Sequence, residues 1–324
     1  MIPLHRFLAC VAVLGCALLS GHWLGADTPA ITDIIPPGAK LQKLWGEGAF
    51  TEGGTMLADG SLVFSDIPGD RLMHYDPATG KVSVWRQPSG KANGTILTPD
   101  GRFAAAEGAD AGARRVSITE SDGTVRTLAD RYQGKRLNSP NDIAADSVGR
   151  IYFTDPRYVG QEERELDHES VYRIDLDGTL TRIISQCTKP NGITVSPDQK
   201  NLYLSEHNGS PGGRRQLWKF DLRPDGTVAN RRVVWDFGTG RGIDGMTHDS
   251  LGNLYATAAQ GAEAGVYVFS PKDQKIGFIP TPEPPANCEF AGPDRRHLYI
   301  AAGESLYRIH LAVPGHHLYP PPTK

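Results

Sequence analysis

Six residues that carry a side-chain oxygen stand at equivalent positions along the chain. They are Glu52, Asn93, Asn141, Asn191, Asp244 and Asn287. Each stands at the predicted start of a short strand, a fixed distance before a polar turn. Carboxylate and amide oxygens are hard ligands that suit Ca²⁺, with Mg²⁺, Mn²⁺ or Zn²⁺ as alternatives. The set therefore predicts a divalent-cation site, and the competing interpretation is that these side chains cap strand starts by bonding to loop backbone.

The segments that must position these residues recur along the chain. Each is a polar turn followed by an apolar, often aromatic strand. The stretches are ADGSLVFSD (58–66), PDGRFAAAE (99–107), SVGRIYFTD (147–155), PDQKNLYLSE (197–206), SLGNLYATA (250–258) and PDRRHLYIAA (293–302). The six oxygen-bearing residues are spaced by 41, 48, 50, 53 and 43 residues, which is the length of a four-stranded propeller blade. The pattern predicts an all-β fold, a six-bladed β-propeller with a metal site in its central channel.

Closure of the ring can also be predicted. The last segment with the strand pattern is SLYRIHL (305–311), which would be the third strand of the last blade. We expect LQKLWG (41–46) to add that blade's outer strand, because a closed ring leaves no long exposed sheet edge. The innermost strands of a propeller run parallel, so all of the strand starts should open on one end of the channel.

Five stretches resemble the gluconolactonase, senescence-marker-protein-30 and luciferin-regenerating-enzyme family. They are FTEGGTMLADGSLVFSD (50–66), NSPNDIAADSVGRIYFTDP (138–156), KPNGITVSPDQKNLYLSE (189–206), GIDGMTHDSLGNLYAT (242–257) and NCEFAGPDRRHLYIAA (287–302). The resemblance covers about 45–305 and implies a six-bladed propeller that holds a divalent metal, usually calcium. By motif, the family's metal ligands match Glu52, Asn141, Asn191 and Asp244, and Asp244 also matches the family's general acid/base.

The first of these stretches departs from the family pattern. The family commonly has Glu-Gly-Pro and then a Trp, whereas this chain has Glu52, Gly53, Gly54, Thr55 and Met56. The ligand position is kept, but the wall beside it lacks the proline and the indole, which leaves the shape of the substrate open. Candidate substrate contacts are Asn93, Asn138 and Ser139.

The function that these residues predict is metal-dependent opening of sugar lactones. A bound cation would polarise the lactone carbonyl, and Asp244 would move the proton as general acid/base. One alternative is a phosphotriesterase-like hydrolase on the same scaffold. Another is a calcium-stabilised propeller without enzymatic activity.

The termini and the composition limit the other functional classes. A positive charge, an apolar run and a small residue at Ala26 predict a signal peptide over 1–26 and a secreted or periplasmic protein that does not span the membrane. The alternative is a lipoprotein signal that ends at Cys16. A linker over 27–40, a propeller over 41–312 and a Pro-rich tail over 313–324 would follow. A net charge of −3 provides no basic surface for nucleic acid, so the expected partner is a small lactone.

Two cysteines, Cys187 and Cys288, remain beyond the predicted signal peptide. An exported location permits a disulfide between them, and the alternative is a pair of buried free thiols.

Overall fold

The repeated units form six antiparallel sheets of four strands each, and the predicted six-bladed propeller is confirmed. The structure is a computed structural model that describes residues 31–319. In each blade the first strand is innermost, and the polar turns between strands are tight enough for consecutive strands to pair.

Blades 1 to 3 follow the chain in order. Blade 1 contains β2 (Thr51–Met56), β3 (Leu62–Asp66), β4 (Arg71–Asp76) and β5 (Lys81–Arg86). Blade 2 contains β6 (Ala92–Leu97), β7 (Phe103–Glu107), β8 (Arg115–Thr119) and β9 (Val125–Ala129). A small hairpin follows, made of β10 (Arg131–Tyr132) and β11 (Lys135–Arg136). Blade 3 contains β12 (Ile143–Ala145), β13 (Ile151–Asp155), β14 (Ser170–Ile174) and β15 (Leu180–Ile184).

Blades 4 to 6 complete the ring. Blade 4 contains β16 (Pro190–Val195), β17 (Asn201–His207), β18 (Arg215–Leu222) and β19 (Val228–Asp236). Blade 5 contains β20 (Ile243–His248), β21 (Leu254–Ala258), a 3-10 turn (Gly261–Glu263), β22 (Gly265–Phe269) and β23 (Lys275–Pro280). Blade 6 contains β24 (Pro285–Ala291), β25 (His297–Ala302), β26 (Ser305–His310) and, as its outer strand, β1 (Gln42–Trp45).

The ring closes as the sequence predicts, through pairing of β1 with β26. Gln42 lies opposite Arg308 and Lys43 opposite Tyr307 in an antiparallel register. The hydrophobic core lies between neighbouring blades rather than in the channel. One cluster, for example, contains Tyr152 of blade 3 and Trp218 of blade 4, and both side chains are fully buried.

Four of the innermost strands, β2, β6, β16 and β20, have a bulge directly beside the oxygen-bearing residue. In β16 the register shifts between Pro190 and Ile193, and in β20 between Ile243 and Met246. A glycine stands at each bulge because the next blade's inner strand comes very close. A Cβ on Gly192 would lie 1.9 Å from the carbonyl oxygen of Asp244. These glycines let adjacent inner strands approach, which draws the ring of side-chain oxygens together.

The C-terminal segment packs against the propeller and does not extend as a free tail. Residues 313–319 of the predicted tail (313–324) are described, and they pack across the end of the channel where the innermost strands finish. The backbone N–H of His316 donates to the carbonyl of His248 at 2.9 Å. Tyr319 is buried, and its hydroxyl donates to the carbonyl of Met56. Residues 320–324 lie outside the described part.

The N-terminal predictions fall mostly outside the described residues. The predicted signal peptide (1–26), including Cys16 and Ala26, lies before residue 31, and the predicted linker is described only from there. A short helix, α1 (Ile31–Ile34), begins that part, and Ile34 is buried against blades 5 and 6. Within 31–319 no helix has the length and apolar character needed to cross a membrane. Cys187 and Cys288 are both buried free thiols.

Candidate active site

A cavity of about 450 Å³ opens at the end of the channel where the innermost strands begin. Five of the six predicted oxygen-bearing residues line it. They are Glu52, Asn93, Asn141, Asn191 and Asp244. Asn287 lies one layer deeper, among the residues around a second cavity of about 120 Å³ that the C-terminal segment covers. The four residues that the family motif assigns to the metal therefore line the same cavity.

Glu52 is a buried carboxylate with few compensating contacts. It is 3% exposed. It accepts hydrogen bonds from the backbone N–H of Gly53 at 2.8 Å and from the Asn287 amide at 3.2 Å. Burial, and then the neighbouring charge of Asp244, raise the pKa of Glu52 well above its usual value. A negative charge held in this position calls for a cation close by, because burying an unpaired carboxylate is costly.

Asp244 has a cationic partner that the sequence motifs did not predict. Arg241, in the loop before β20, donates from Nη2 to Oδ2 of Asp244 and from Nη1 to the carbonyl of Pro285 at 2.7 Å. Both side chains line the cavity and are largely buried. The sequence contained a local indication of this pair, because Arg241 lies three residues before Asp244 in RGIDG.

His207 completes the polar wall beside Asn191. Its Nδ1 lies 2.9 Å from the carbonyl oxygen of Ile243. A carbonyl oxygen only accepts, so Nδ1 carries the proton and Nε2 keeps its lone pair. Burial lowers the pKa of His207, against the opposing charge of Asp244, which keeps the ring neutral near pH 7. The 3.4 Å approach of the Asn191 amide nitrogen to Nδ1 is then a packing contact, because two donors face each other.

The three predicted substrate contacts have different positions. Asn93 and Ser139 line the cavity, although the Ser139 hydroxyl already accepts the N–H of Ala109 at 2.8 Å. Asn138 does not face the cavity, which corrects its assignment as a substrate contact. It is fully buried, and its amide donates to the carbonyls of Asp155 and His168 at 3.2 and 2.8 Å. The amide therefore braces the loop that carries Asn141.

The donor set fits a hard divalent cation. Two carboxylates, Glu52 and Asp244, share the cavity with the amides of Asn141 and Asn191. Within residues 31–319 no three His, Cys, Asp or Glu side chains gather into a metal-holding group. A metal at this position would consequently depend on amide oxygens as well as carboxylates, a ligand mixture typical of calcium.

The family follows from a match over most of the chain. A family model described as the SMP-30/Gluconolactonase/LRE-like region matches residues 45–304. The chain belongs to this family. The resemblance inferred from the sequence motifs is confirmed, and the match covers the six blades except β26 and all of β1 before Trp45.

Several known proteins are similar to this chain over nearly their whole length. A gluconolactonase from Zymomonas mobilis subsp. mobilis is 29% identical, over 95% of this chain and 94% of that protein. The solved structure of a gluconolactonase from Xanthomonas campestris superimposes with a TM-score of 0.77 at 32% identity, covering 87% of this chain and 92% of that chain. A regucalcin from Agrobacterium tumefaciens, described as a calcium-binding protein, gives a TM-score of 0.71, with 88% of this chain and 98% of that chain covered. At 18% identity, that likeness shows the fold alone.

Proposed function

We propose that this protein is a divalent-metal-dependent hydrolase that opens lactone rings, sugar lactones among them. The observation that carries the proposal is the pair of carboxylates, Glu52 and Asp244, facing the same cavity as the amides of Asn141 and Asn191. Support also comes from the family, in which relatives named gluconolactonase match nearly the full chain.

Glu52, Asn141, Asn191 and Asp244 would hold the metal, with Ca²⁺ as the ion that this donor set suits best. When bound, the ion supplies Lewis-acid polarisation of the lactone carbonyl and favours the negative charge that develops on its oxygen. The raised pKa of Glu52 supports a cation at this place, because a nearby positive charge would offset the cost of the buried carboxylate.

Residues of the chain itself carry out the proton transfers. Asp244 takes a proton from the attacking water as its oxygen bonds to the carbonyl carbon, and returns a proton to the ring oxygen as the ring C–O bond breaks. Arg241 holds one oxygen of Asp244 and fixes the orientation of the carboxylate. Asn93 lines the same cavity and can hydrogen-bond to hydroxyl groups of the substrate.

The location of the reaction is part of the proposal. The signal peptide predicted over 1–26 would deliver the propeller to the periplasm or the exterior, where calcium is plentiful enough to fill a site of moderate affinity.

The test measures acid release from a panel of sugar lactones. The protein is assayed after EDTA treatment and again with Ca²⁺, Mg²⁺, Mn²⁺ or Zn²⁺ restored, as wild type and as Asp244→Asn. We expect turnover to vanish with EDTA, return with one ion and fall by at least about a hundred-fold in the variant. Asp110→Asn is the matched control, because Asp110 lines the same cavity on its exposed rim.

Two results would contradict the proposal. Full turnover after complete removal of metal would exclude metal dependence. Hydrolysis of a phosphotriester panel, with none of the lactones, would move the assignment to the other hydrolase class, and no turnover of either would favour a non-enzymatic propeller.

A further inference from the structure

The cavity above the candidate metal ligands has two chemically different sides. Blades 4 and 5 contribute a polar wall that includes His207, Arg241 and Asp244. The loops of blades 1 and 3 contribute an apolar rim. Its members are Phe50, Ile67, Pro68, Tyr158 and Val159.

The apolar rim is exposed to an unusual degree. Phe50 is 37% exposed, Tyr158 40% and Val159 56%. Only eight large hydrophobic side chains are exposed in the described part of the chain, and three of them stand at this one cavity. Scattered exposed apolar residues need no explanation, whereas a group around a binding cavity marks a surface that a ligand covers.

The rim is also held in place. The backbone N–H of Phe50 donates to the carboxylate of Asp66 at 3.3 Å, and that carboxylate is fixed by Arg71 at 2.8 Å. The hydroxyl of Tyr158 donates across to blade 4, 3.3 Å from the carbonyl oxygen of His207, and the Lys189 ammonium lies 5.3 Å from the centre of its ring. A fixed apolar surface binds with little loss of side-chain entropy.

The volume of the cavity exceeds the needs of a bare sugar ring. Cavities of roughly 300–1,000 Å³ enclose ligands of drug size. At about 450 Å³, this cavity has room for a lactone ring on the polar side and a further group against the rim.

We propose that the preferred substrates are lactones whose ring carries an apolar alkyl or aryl substituent. The ring lies over Asp244 and the neighbouring amides, and the substituent lies against Phe50, Tyr158 and Val159. The inference rests on the proposed lactone hydrolysis and adds the substrate class to it. Because the rim is apolar, each methylene group buried there raises kcat/KM by about four-fold.

The experiment compares δ-valerolactone with δ-nonalactone, which is the same ring carrying a butyl chain. Glucono-1,5-lactone is assayed beside them, all with the metal-loaded wild type. We expect kcat/KM to be at least about ten-fold higher for δ-nonalactone than for δ-valerolactone. In Phe50→Ser and Val159→Ser we expect this ratio to fall by about three-fold or more.

Val148→Ser is the control, because Val148 is also 56% exposed but does not line this cavity. All three positions are on the surface, so thermal unfolding should confirm that the variants remain folded. Equal kcat/KM for the two δ-lactones, or a ratio that the rim variants leave unchanged, would overturn the inference while lactone hydrolysis itself stands. Absence of turnover for all three lactones would overturn the proposed function and the inference with it.

Discussion

Arg241 donates a hydrogen bond to Asp244 at the polar wall of the cavity, so the carboxylate has a cationic partner within the chain itself. The same guanidinium is anchored on the carbonyl of Pro285 at 2.7 Å, which ties the loop before β20 to the first residue of the next blade. A fixed positive charge therefore lies beside a carboxylate that we propose as a metal ligand. A divalent cation must bind against this charge, so Arg241 should limit the affinity of the site.

Replacing Arg241 by methionine should tighten cation binding. Removal of the like charge is expected to raise Ca²⁺ affinity by about ten-fold, or ~1.4 kcal/mol, measured by calorimetric titration of the EDTA-treated protein. Arg215→Met is the matched control, because the Arg215 guanidinium contacts backbone carbonyls of exposed loops. Affinity that is unchanged or weaker in Arg241→Met would show that the guanidinium does not oppose the ion.

Glu52→Gln should stabilise the metal-free fold and abolish the site. Burial raises the pKa of Glu52, so the folded state disfavours the ionised carboxylate relative to the unfolded chain. Glutamine keeps an acceptor for the Gly53 N–H without that charge. In EDTA at pH 8, urea unfolding should show a gain of about 1–3 kcal/mol in the free energy of unfolding, whereas calcium binding and lactone turnover are lost.

The exposed Glu47→Gln should change neither quantity. A Glu52→Gln protein that is less stable than wild type in EDTA would mean that the carboxylate does not destabilise the metal-free protein.

The blades and the candidate ligands could be predicted from the sequence because they follow local patterns. The turn-and-strand unit recurs with each blade and has an oxygen-bearing residue at the same position in all six, and the family resemblance selects four of these residues as ligands. The contacts of Arg241 with Pro285 and of Tyr319 with Met56 could not be predicted from the sequence. Their partners are 44 and 263 residues away, so no local periodicity indicates either contact. The pairing of Arg241 with Asp244 spans only three residues, but the blade repeat does not include Arg241.

For Asn138, a local motif suggested a substrate contact that the structure does not support. Its place in NSPND suggested a residue facing the substrate, because it precedes Asn141 in the loop at the channel mouth. Its N–H and amide instead bond to Asp155. The direction of a side chain in a loop depends on which buried carbonyls need a donor, and that is decided by the folded loop.

Glu289 should make stability depend on pH at the deeper cavity. Burial raises the pKa of Glu289 to about 8, and burial lowers the pKa of His317 to about 3. The Nε2 of His317 lies 3.9 Å from the Glu289 carboxylate, so near pH 7 two neutral groups meet there. The folded-state pKa of Glu289 exceeds the unfolded value of about 4.3, so its stabilising effect is complete below that pH and is lost as pH rises towards 8.

Glu289→Gln removes this loss because glutamine does not ionise and can accept the same hydrogen bonds from Phe290 and Thr247. The stability of the variant relative to wild type should rise by about 4 kcal/mol between pH 4.5 and pH 8.5, measured by urea unfolding at each pH. The other titrating groups are common to both proteins and cancel in the difference. The exposed Glu304→Gln is the control, and a difference that does not grow with pH would contradict the prediction.

Tyr319 should anchor the C-terminal segment to the end of the channel that lies opposite the candidate active site. Its side chain is 9% exposed, its hydroxyl donates to Met56, and its carbonyl accepts from Arg295 at 2.8 Å. Tyr319→Ala removes the buried ring and should lower the free energy of unfolding by about 3 kcal/mol. Tyr319→Phe leaves the Met56 carbonyl without its donor, removes the 3.2 Å contact of the hydroxyl with Nδ1 of His317, and should cost about 1–2 kcal/mol.

Both changes lie at the far ends of the innermost strands, whereas Asp244 stands near the start of β20. Lactone kcat and KM should therefore stay at wild-type values in both variants while urea unfolding shifts to lower concentrations. The exposed His310→Ala provides a control in the same part of the chain. Unchanged stability in Tyr319→Ala would show that the segment does not hold the channel end, and a large loss of turnover without loss of stability would place its role in the active site instead.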